Sequence, residues 1–306
     1  MNIQIGLALS GGGAKGMAHI GVLKVLEEAQ VPINLLAGTS MGGMIAAAYA
    51  AGRSADEIEQ FFRSLRLMNI AQRDSTGLGL LGQDKIAHHV QEALGGDLTF
   101  DQLKLPLALV AVDVETGEEI VIRHGSVIDG ILATAAVPVI FPPVRWQNHL
   151  LIDGGVLNPV PFDVARHMGT NTDAPIRIVA VYTMHDLSGK LGSKAAPEGQ
   201  GVEAAIRTLL YRAPWAPIID IAERSNNIMS RRLIKQRLEE TPPDLMIEIP
   251  LKGVGLLDLD QVDKCIEAGE EAARQHLPEI LKLCDTSLPS RLTYLWQSAL
   301  NRLKGK

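Results

Sequence analysis

"LALSGGGAKGMAHIGVLKVLEEAQVPINLLAGTSMGGMIAAAYA", residues 7–50, twice passes from a short apolar run through a glycine-rich turn into a helical pattern. We read a strand at Ile3–Leu9, a helix from about His19 to Ala29, a strand from about Ile33 to Thr39 and a helix from about Met41 to Ala51. Such alternation predicts a parallel sheet covered by helices, because parallel strands need long crossovers. Both glycine turns then leave the carboxyl ends of neighbouring strands, where open α/β sheets gather their sites.

Ala29–Gly52 carries no charge and has the length of a membrane span. Pro32, Asn34, Thr39, Ser40 and glycines at 38, 42, 43 and 52 punctuate it, so it reads as a buried strand, a sharp turn and a buried helix. Beyond it, residues 55–96 look helical and peripheral. "LALVAVDVETGEEIVIRHG" reads as a hairpin, and a proline-punctuated bend leads to a short strand ending at Asp153. "IRIVAVYTM" is a buried strand and "GKLGSKAAPEGQG" a surface loop. A helical pair around 202–239, the strand "DLMIEIP" and helices after Leu259 complete the chain.

With 306 residues, 46% hydrophobic and 21% charged, the chain can bury a sizeable core and lacks the composition of a disordered protein. A net charge of -6 argues against wrapping nucleic acid, which needs a positive surface. Cys265 and Cys284 stand in a helix-like region without zinc spacing and read as reduced thiols. The opening "MNIQIGLALS" lacks the basic and long apolar regions of a signal peptide, so a cytoplasmic address is expected.

Gly11, Gly13 and Gly16 satisfy G-x-G-x-x-G. A dinucleotide fingerprint also wants an acid at the end of the second strand, but Gly38-Thr39-Ser40-Met41-Gly42 stands there instead. A phosphate-binding P-loop fails as well, because Lys15 precedes Gly16 rather than Ser or Thr. G-x-S-x-G between a strand and a helix is a nucleophile elbow, in which small residues let the backbone turn and hold Oγ clear of the sheet. Glycines 11–13 would then offer N–H groups to an oxyanion rather than to a phosphate.

A serine nucleophile needs a proton acceptor. Among the eight histidines, His19 reads as a packing residue and His185 as the triad candidate, since it closes "IRIVAVYTM". Asp153 in "LLIDGG" is the stronger candidate, and Asp113 the rival carboxylate.

With GGGAKG at 11–16, GTSMG at 38–42, AAVPVIFPPV at 135–144 and DGG at 153–155, the chain resembles the patatin-like phospholipases, in the style of bacterial members related to the neuropathy target esterase catalytic domain. The likeness covers roughly residues 5–185. It implies an α/β fold, a three-layer α/β/α sandwich with a mostly parallel central sheet, as a single domain over 1–306 in which 186–306 complete the fold. It further implies lipid acyl-ester hydrolysis without metal or cofactor. Ser40 would be the nucleophile, Asp153 the general base and Gly11, Gly12 and Gly13 the oxyanion loop, with Lys15, Gly16, Gly38, Gly42, Gly154 and Gly155 in support. Because an aspartate of ordinary pKa ~3.9 is a weak base, burial must raise it.

The expected partner is a lipid or ester substrate, whose acyl chain could lie along 55–96 and "TLLYRAPWAPIIDIA" at 208–222. Residues 286–306 hold four basic residues and no acid, with an apolar stripe at helical spacing. Such a helix suits either an anionic membrane face, making the protein peripheral on the inner membrane, or docking on the body or a second subunit. Two other classes stay open. One is a Ser-His-Asp esterase on the α/β-hydrolase fold, which usually places several strands before its elbow where this chain has two. The other is a non-catalytic nucleotide-binding module.

Overall fold

The computed structural model describes residues 3–65, 74–169, 175–184 and 216–284. β1 (Gln4–Leu9) leads through a 3₁₀ turn at Gly13–Met17 into α1 (Ala18–Glu28), and β2 (Ile33–Thr39) runs straight into α2 (Ser40–Ala50). α3 (Ala55–Ser64), α4 (Asp84–Leu94), β3 (Leu107–Asp113), β4 (Glu119–Ile122) and α5 (Val127–Thr134) follow. After them come β5 (Val144–Trp146), β6 (His149–Asp153), α6 (Phe162–Gly169), β7 (Ile176–Met184), α7 (Ala216–Glu240), β8 (Leu245–Pro250) and α8 (Val262–Cys284).

The sequence did not suggest α5. It forms because Ser126 caps it by accepting the Asp129 N–H, and because Val127, Gly130, Ile131 and Thr134 bury one face just before the proline-rich bend. Of the helical pair expected around 202–239, the described part is one helix from Ala216; 202–215 lie outside the described residues, as do the loop at 189–201 and the basic C-terminal stretch.

The sheet is mixed, with connected order β5-β6-β3-β2-β1-β7-β8 and β4 also paired to β3. β1, β2, β3, β7 and β8 are mutually parallel where they pair, whereas β4 and β6 pair antiparallel with β3 and β5 pairs antiparallel with β6. Strand alternation separates two cores. Leu7, Leu9, Leu36, Leu109, Val179 and Val181 face the layer holding α1, α2 and α8. Ala8, Ala37, Ala108, Val110 and Ala180 face α6 and Ile234 of α7. Helices therefore cover both faces, giving three layers. Alanines on the second face let α6 approach closely.

One register relation builds the site. β2 pairs with Leu107–Val110 of β3, and β6 pairs with Ala111–Asp113. β4 occupies the opposite edge of β3 over Leu109–Val112, so β2 and β6 share the remaining edge end to end. Thr39, the last residue of β2, is opposite Val110, and Asp153, the last of β6, is opposite Ala111. Consecutive β3 residues thus hold the two strand ends together.

α1 and α8 meet with almost no gap. A Cβ at Gly269 would strike the Ala18 carbonyl, and one at Gly21 the Ile266 carbonyl. Backbone lies on both sides and cannot swing away as a side chain would. Gly269→Ala should therefore lower stability by about 1–3 kcal/mol through overpacking, read as a lower urea midpoint at unchanged slope. An unaltered midpoint would show that the helices separate freely.

Candidate active site

Ser40 opens α2 at φ 53, in the left-handed region that non-glycine residues avoid. Holding it there costs about 1–3 kcal/mol, so neighbours must fix it. Its N–H donates to Thr134 Oγ1 at 2.9 Å, and Thr134 donates onward to the Val110 carbonyl. The first turn of α2 presses on the end of β1 so tightly that a Cβ at Gly42 would meet the Ser10 and Leu9 carbonyls. Gly38 faces the Gly43 backbone across the turn. The elbow thus places the serine at the positive end of α2.

Asp153 is buried at 6% exposure. The Gly155 N–H donates to its Oδ1 at 2.7 Å, and its carboxyl is in hydrogen-bonding reach of the Ser40 side chain. Burial pushes its pKa up to about 6, against the opposing pull of the Ser40 and Gly155 hydrogen bonds. Gly154 lets the chain pass directly over the Val110 carbonyl.

The glycine loop is pinned from below. Gly11 donates its N–H to the Pro159 carbonyl at 3.1 Å, while its own carbonyl accepts Ser10 Oγ at 2.9 Å and Thr183 Oγ1 at 3.0 Å. Gly12 and Gly13 adopt φ 147 and 57, and among the described residues no acceptor takes their N–H groups. Of the three loop glycines, these two retain unengaged donors, and all three line one cavity with Ser40 and Asp153. Lys15 is buried and paired with Glu223 of α7 at 3.4 Å. Gly16 packs against the Met41 side chain.

His19 lies beneath the loop, fully buried, with its Nε2–H donating to the Ser10 carbonyl at 2.8 Å. Burial lowers its pKa to about 4, so the ring is a neutral strut rather than an acid or base at neutral pH. Asp113 instead pairs with His149 Nδ1 at 2.7 Å, and this bond leads the causes that hold its carboxyl below the usual range. It lies two positions beyond Ala111 on β3 and lines neither Ser40 cavity. His185 lies outside the described residues. No described histidine is hydrogen-bonded to Ser40.

Several supporting residues escaped sequence reasoning. Thr134, Thr183 and Asn158 are ordinary polar residues in the chain, yet each holds a site loop. The Asn158 carbonyl accepts Thr39 Oγ1 at 2.8 Å, and its amide donates to Asp163 at 2.9 Å and Glu119 at 3.2 Å. Arg237 of α7 joins the same two carboxylates, Glu119 at 2.6 Å and Asp163. No local motif signals a network that spans so much sequence.

Two cavities meet at Ser40 and share Gly13, Val137 and Leu256 as wall. One, of about 300 Å³, is partly polar, with Lys15, Asp153, Glu223 and Asn227 in its lining. The other, of about 90 Å³, is almost wholly apolar, walled by Met44, Phe61, Phe62, Ile86, Val90 and Phe141. The segment 55–96 therefore does supply an apolar wall beside the serine. Of 208–222, the described part contributes Ala222 to the polar cavity, and 208–215 lie outside the described residues. No cluster of three or more metal-ligating side chains occurs among the described residues.

The sequence profile described as "Patatin-like phospholipase" matches residues 7–166. An uncharacterized NTE family protein of Mycobacterium tuberculosis is 29% identical over 281 residues, covering 90% of this chain and 46% of its own length. Patatin-like phospholipase domain-containing protein 6 of Mus musculus is 36% identical over 182 residues, 55% of this chain and 13% of that protein. The crystal structure of VipD from Legionella pneumophila shares the fold, with a TM-score of 0.57 at 13% identity over 91% of this chain and 67% of that one. The chain spans about half the length of the first of these relatives.

Asp153 ties the site to stability with a definite sign. Its folded pKa of about 6 exceeds the ordinary 3.8, so between these values the folded state holds a proton that the unfolded state releases. Its contribution is greatest below pH 3.8 and is lost as pH rises through about 6. Asp153→Asn, which keeps an acceptor for Gly155, should then be more stable than the parent at pH 8 by about 2–3 kcal/mol, the gap closing on acidification. Denaturant midpoints measured across that range check this, and equal midpoints at pH 8 would contradict it.

Proposed function

The chain belongs to the patatin-like phospholipase family, and from that premise we propose that it is a serine acyl-ester hydrolase acting on lipids, of phospholipase A, lysophospholipase or carboxylesterase type. The observation that carries this is a buried carboxylate with a pKa of about 6 beside an elbow serine, in a cavity shared with the glycine loop. At neutral pH that carboxylate is mostly ionised, yet far more basic than an ordinary aspartate.

Asp153 takes the Ser40 proton as Oγ attacks the ester carbonyl. The N–H groups of Gly12 and Gly13 receive the developing oxyanion, a contribution of roughly 3–4 kcal/mol for a well-placed donor. Protonated Asp153 then returns its proton to the leaving alcohol as the carbon–oxygen bond breaks. Water, deprotonated by the same carboxylate, attacks the acyl-serine, and its collapse frees the fatty acid and restores Ser40. The apolar cavity suits the acyl chain and the partly polar one the leaving alcohol. Lys15, balanced by Glu223, adds little net charge.

The geometry favours this over the two other classes. His89 lines the apolar cavity, but it makes no hydrogen bond to Ser40. A nucleotide phosphate would meet the Asp153 and Glu223 carboxylates in the loop's cavity. No described helix is long and apolar enough to cross a membrane. We propose that the enzyme acts from the cytoplasmic side, reaching lipid by peripheral contact.

A fluorophosphonate probe should modify Ser40, located by peptide mass, and Ser40→Ala should abolish both label and ester hydrolysis, lowering kcat by about 10³-fold or more. Asp153→Asn should cost about 10³-fold or more as well. Full activity in either variant removes its assigned role. The parent's kcat/KM should rise with pH to a plateau above about 6, the pH at which Asp153 loses its proton. A flat profile through that range would assign the base elsewhere.

A further inference from the structure

The first turns of α7 are built inside out. Asp220, Glu223, Asn227, Ser230 and Ile234 recur at spacings of three and four on one face. That face turns inward: Asp220, Asn227, Ser230 and Ile234 are buried, and Glu223 meets Lys15. The Ser230 hydroxyl is buried with no partner among the described residues, and Asn227 and Ser230 both line the polar Ser40 cavity. The opposite face carries Ile218, Ile221, Ile228 and Met229, which are 58%, 49%, 59% and 50% exposed. A surface helix of a water-soluble body normally shows the reverse arrangement.

Two further features say what this face meets. It continues into the mouth of the catalytic cavity, since Met229 and the 42% exposed Val139 both line that cavity. Val139 sits at φ 74, an expensive conformation for a β-branched residue, and there presents its side chain at the entrance. Beyond Ile228 the outward face carries exposed Arg232 and Lys235, four and seven residues on, before it reaches exposed Glu239 in the last turn. The acids of the first turns, Asp220 and Glu223, lie on the inner side, paired with Arg224 and Lys15, and the other two, Glu239 and Glu240, are exposed at the far end of the helix. An apolar stripe beside basic residues suits a helix lying in an anionic lipid interface.

We propose that the outward face of α7 docks on an anionic bilayer and seats the mouth of the Ser40 cavity against the lipid surface. The inference rests on the lipid-hydrolase reading above. A second copy seated there would cover the entrance and bring like charges together, whereas a bilayer delivers substrate to it.

The test is flotation of the full chain with vesicles of phosphatidylcholine, with and without phosphatidylglycerol, run beside hydrolysis of a soluble short-chain ester. The parent should float with the anionic vesicles. Combined Ile218→Ser, Ile221→Ser and Ile228→Ser should weaken that binding by about tenfold or more. Arg232→Glu with Lys235→Glu should weaken it on anionic vesicles alone. Soluble-ester hydrolysis should stay within about twofold in both variants, since none of these side chains lines the site. A parent that does not float, or an isoleucine variant that floats as well as the parent, overturns the proposal. So does an isoleucine variant that melts several degrees lower or changes oligomeric state, because that face would then be covered by protein. Flotation lost in the variant from a parent that hydrolyses no ester would keep the docking surface and remove the catalytic reading.

Discussion

The site depends on a single edge of β3. Two strands use it in succession, β2 arriving parallel and β6 antiparallel, and neighbouring β3 residues fix their tips. Each tip carries one reactive group, because the chain turns sharply immediately after each strand: at Ser40 into a helix, and at Asp153 into a short 3₁₀ turn. Neither group could slide without breaking the ladder that positions the other. The Val110 carbonyl, which accepts Thr134 and lies under Gly154, ties both turns to that ladder.

This arrangement concentrates unfavourable terms. Ser40 holds a strained φ, Asp153 is a carboxylate kept from water, and His19 is a buried imidazole. The surroundings offset these with packing that leaves little freedom. Helix and strand backbones touch at Gly42, and polar side chains that cannot reach water, Ser10 and Thr183, are satisfied by the glycine loop itself. The same burial that destabilises the Asp153 carboxylate makes it basic enough to take a serine proton. Stability and reactivity at this residue are opposite readings of one desolvation.

Much of this was legible in the sequence, for a specific reason. G-G-G-A-K-G and G-T-S-M-G encode backbone conformation directly, since φ at Gly12 and Gly13 and the close approach at Gly42 exclude other residues. Asp153 stood out as a carboxylate closing an apolar strand. β5, and the antiparallel pairing of β6 with β3, were hidden, because strands of three and five residues are too short to show a period. Asn158, Thr134 and Arg237 were hidden for another reason: their meaning lies in partners 24 to 119 residues away. His19 was read as packing, and its bond to the Ser10 carbonyl makes it specifically a brace for the loop.

α7 marks the limit of pattern reading. Periodicity shows which residues share a helical face, but not which face turns inward. The usual assumption would bury Ile218, Ile221 and Ile228 and expose Glu223 and Asn227. The reverse holds because the surface α7 covers is itself polar: Lys15 beside the glycine loop needs Glu223, and Glu119 and Asp163 need Arg237. A helix recruited to close a polar cavity must spend its polar residues inward, and its remaining apolar residues then face whatever lies outside. The demands of the site thus set the character of the protein's outer surface.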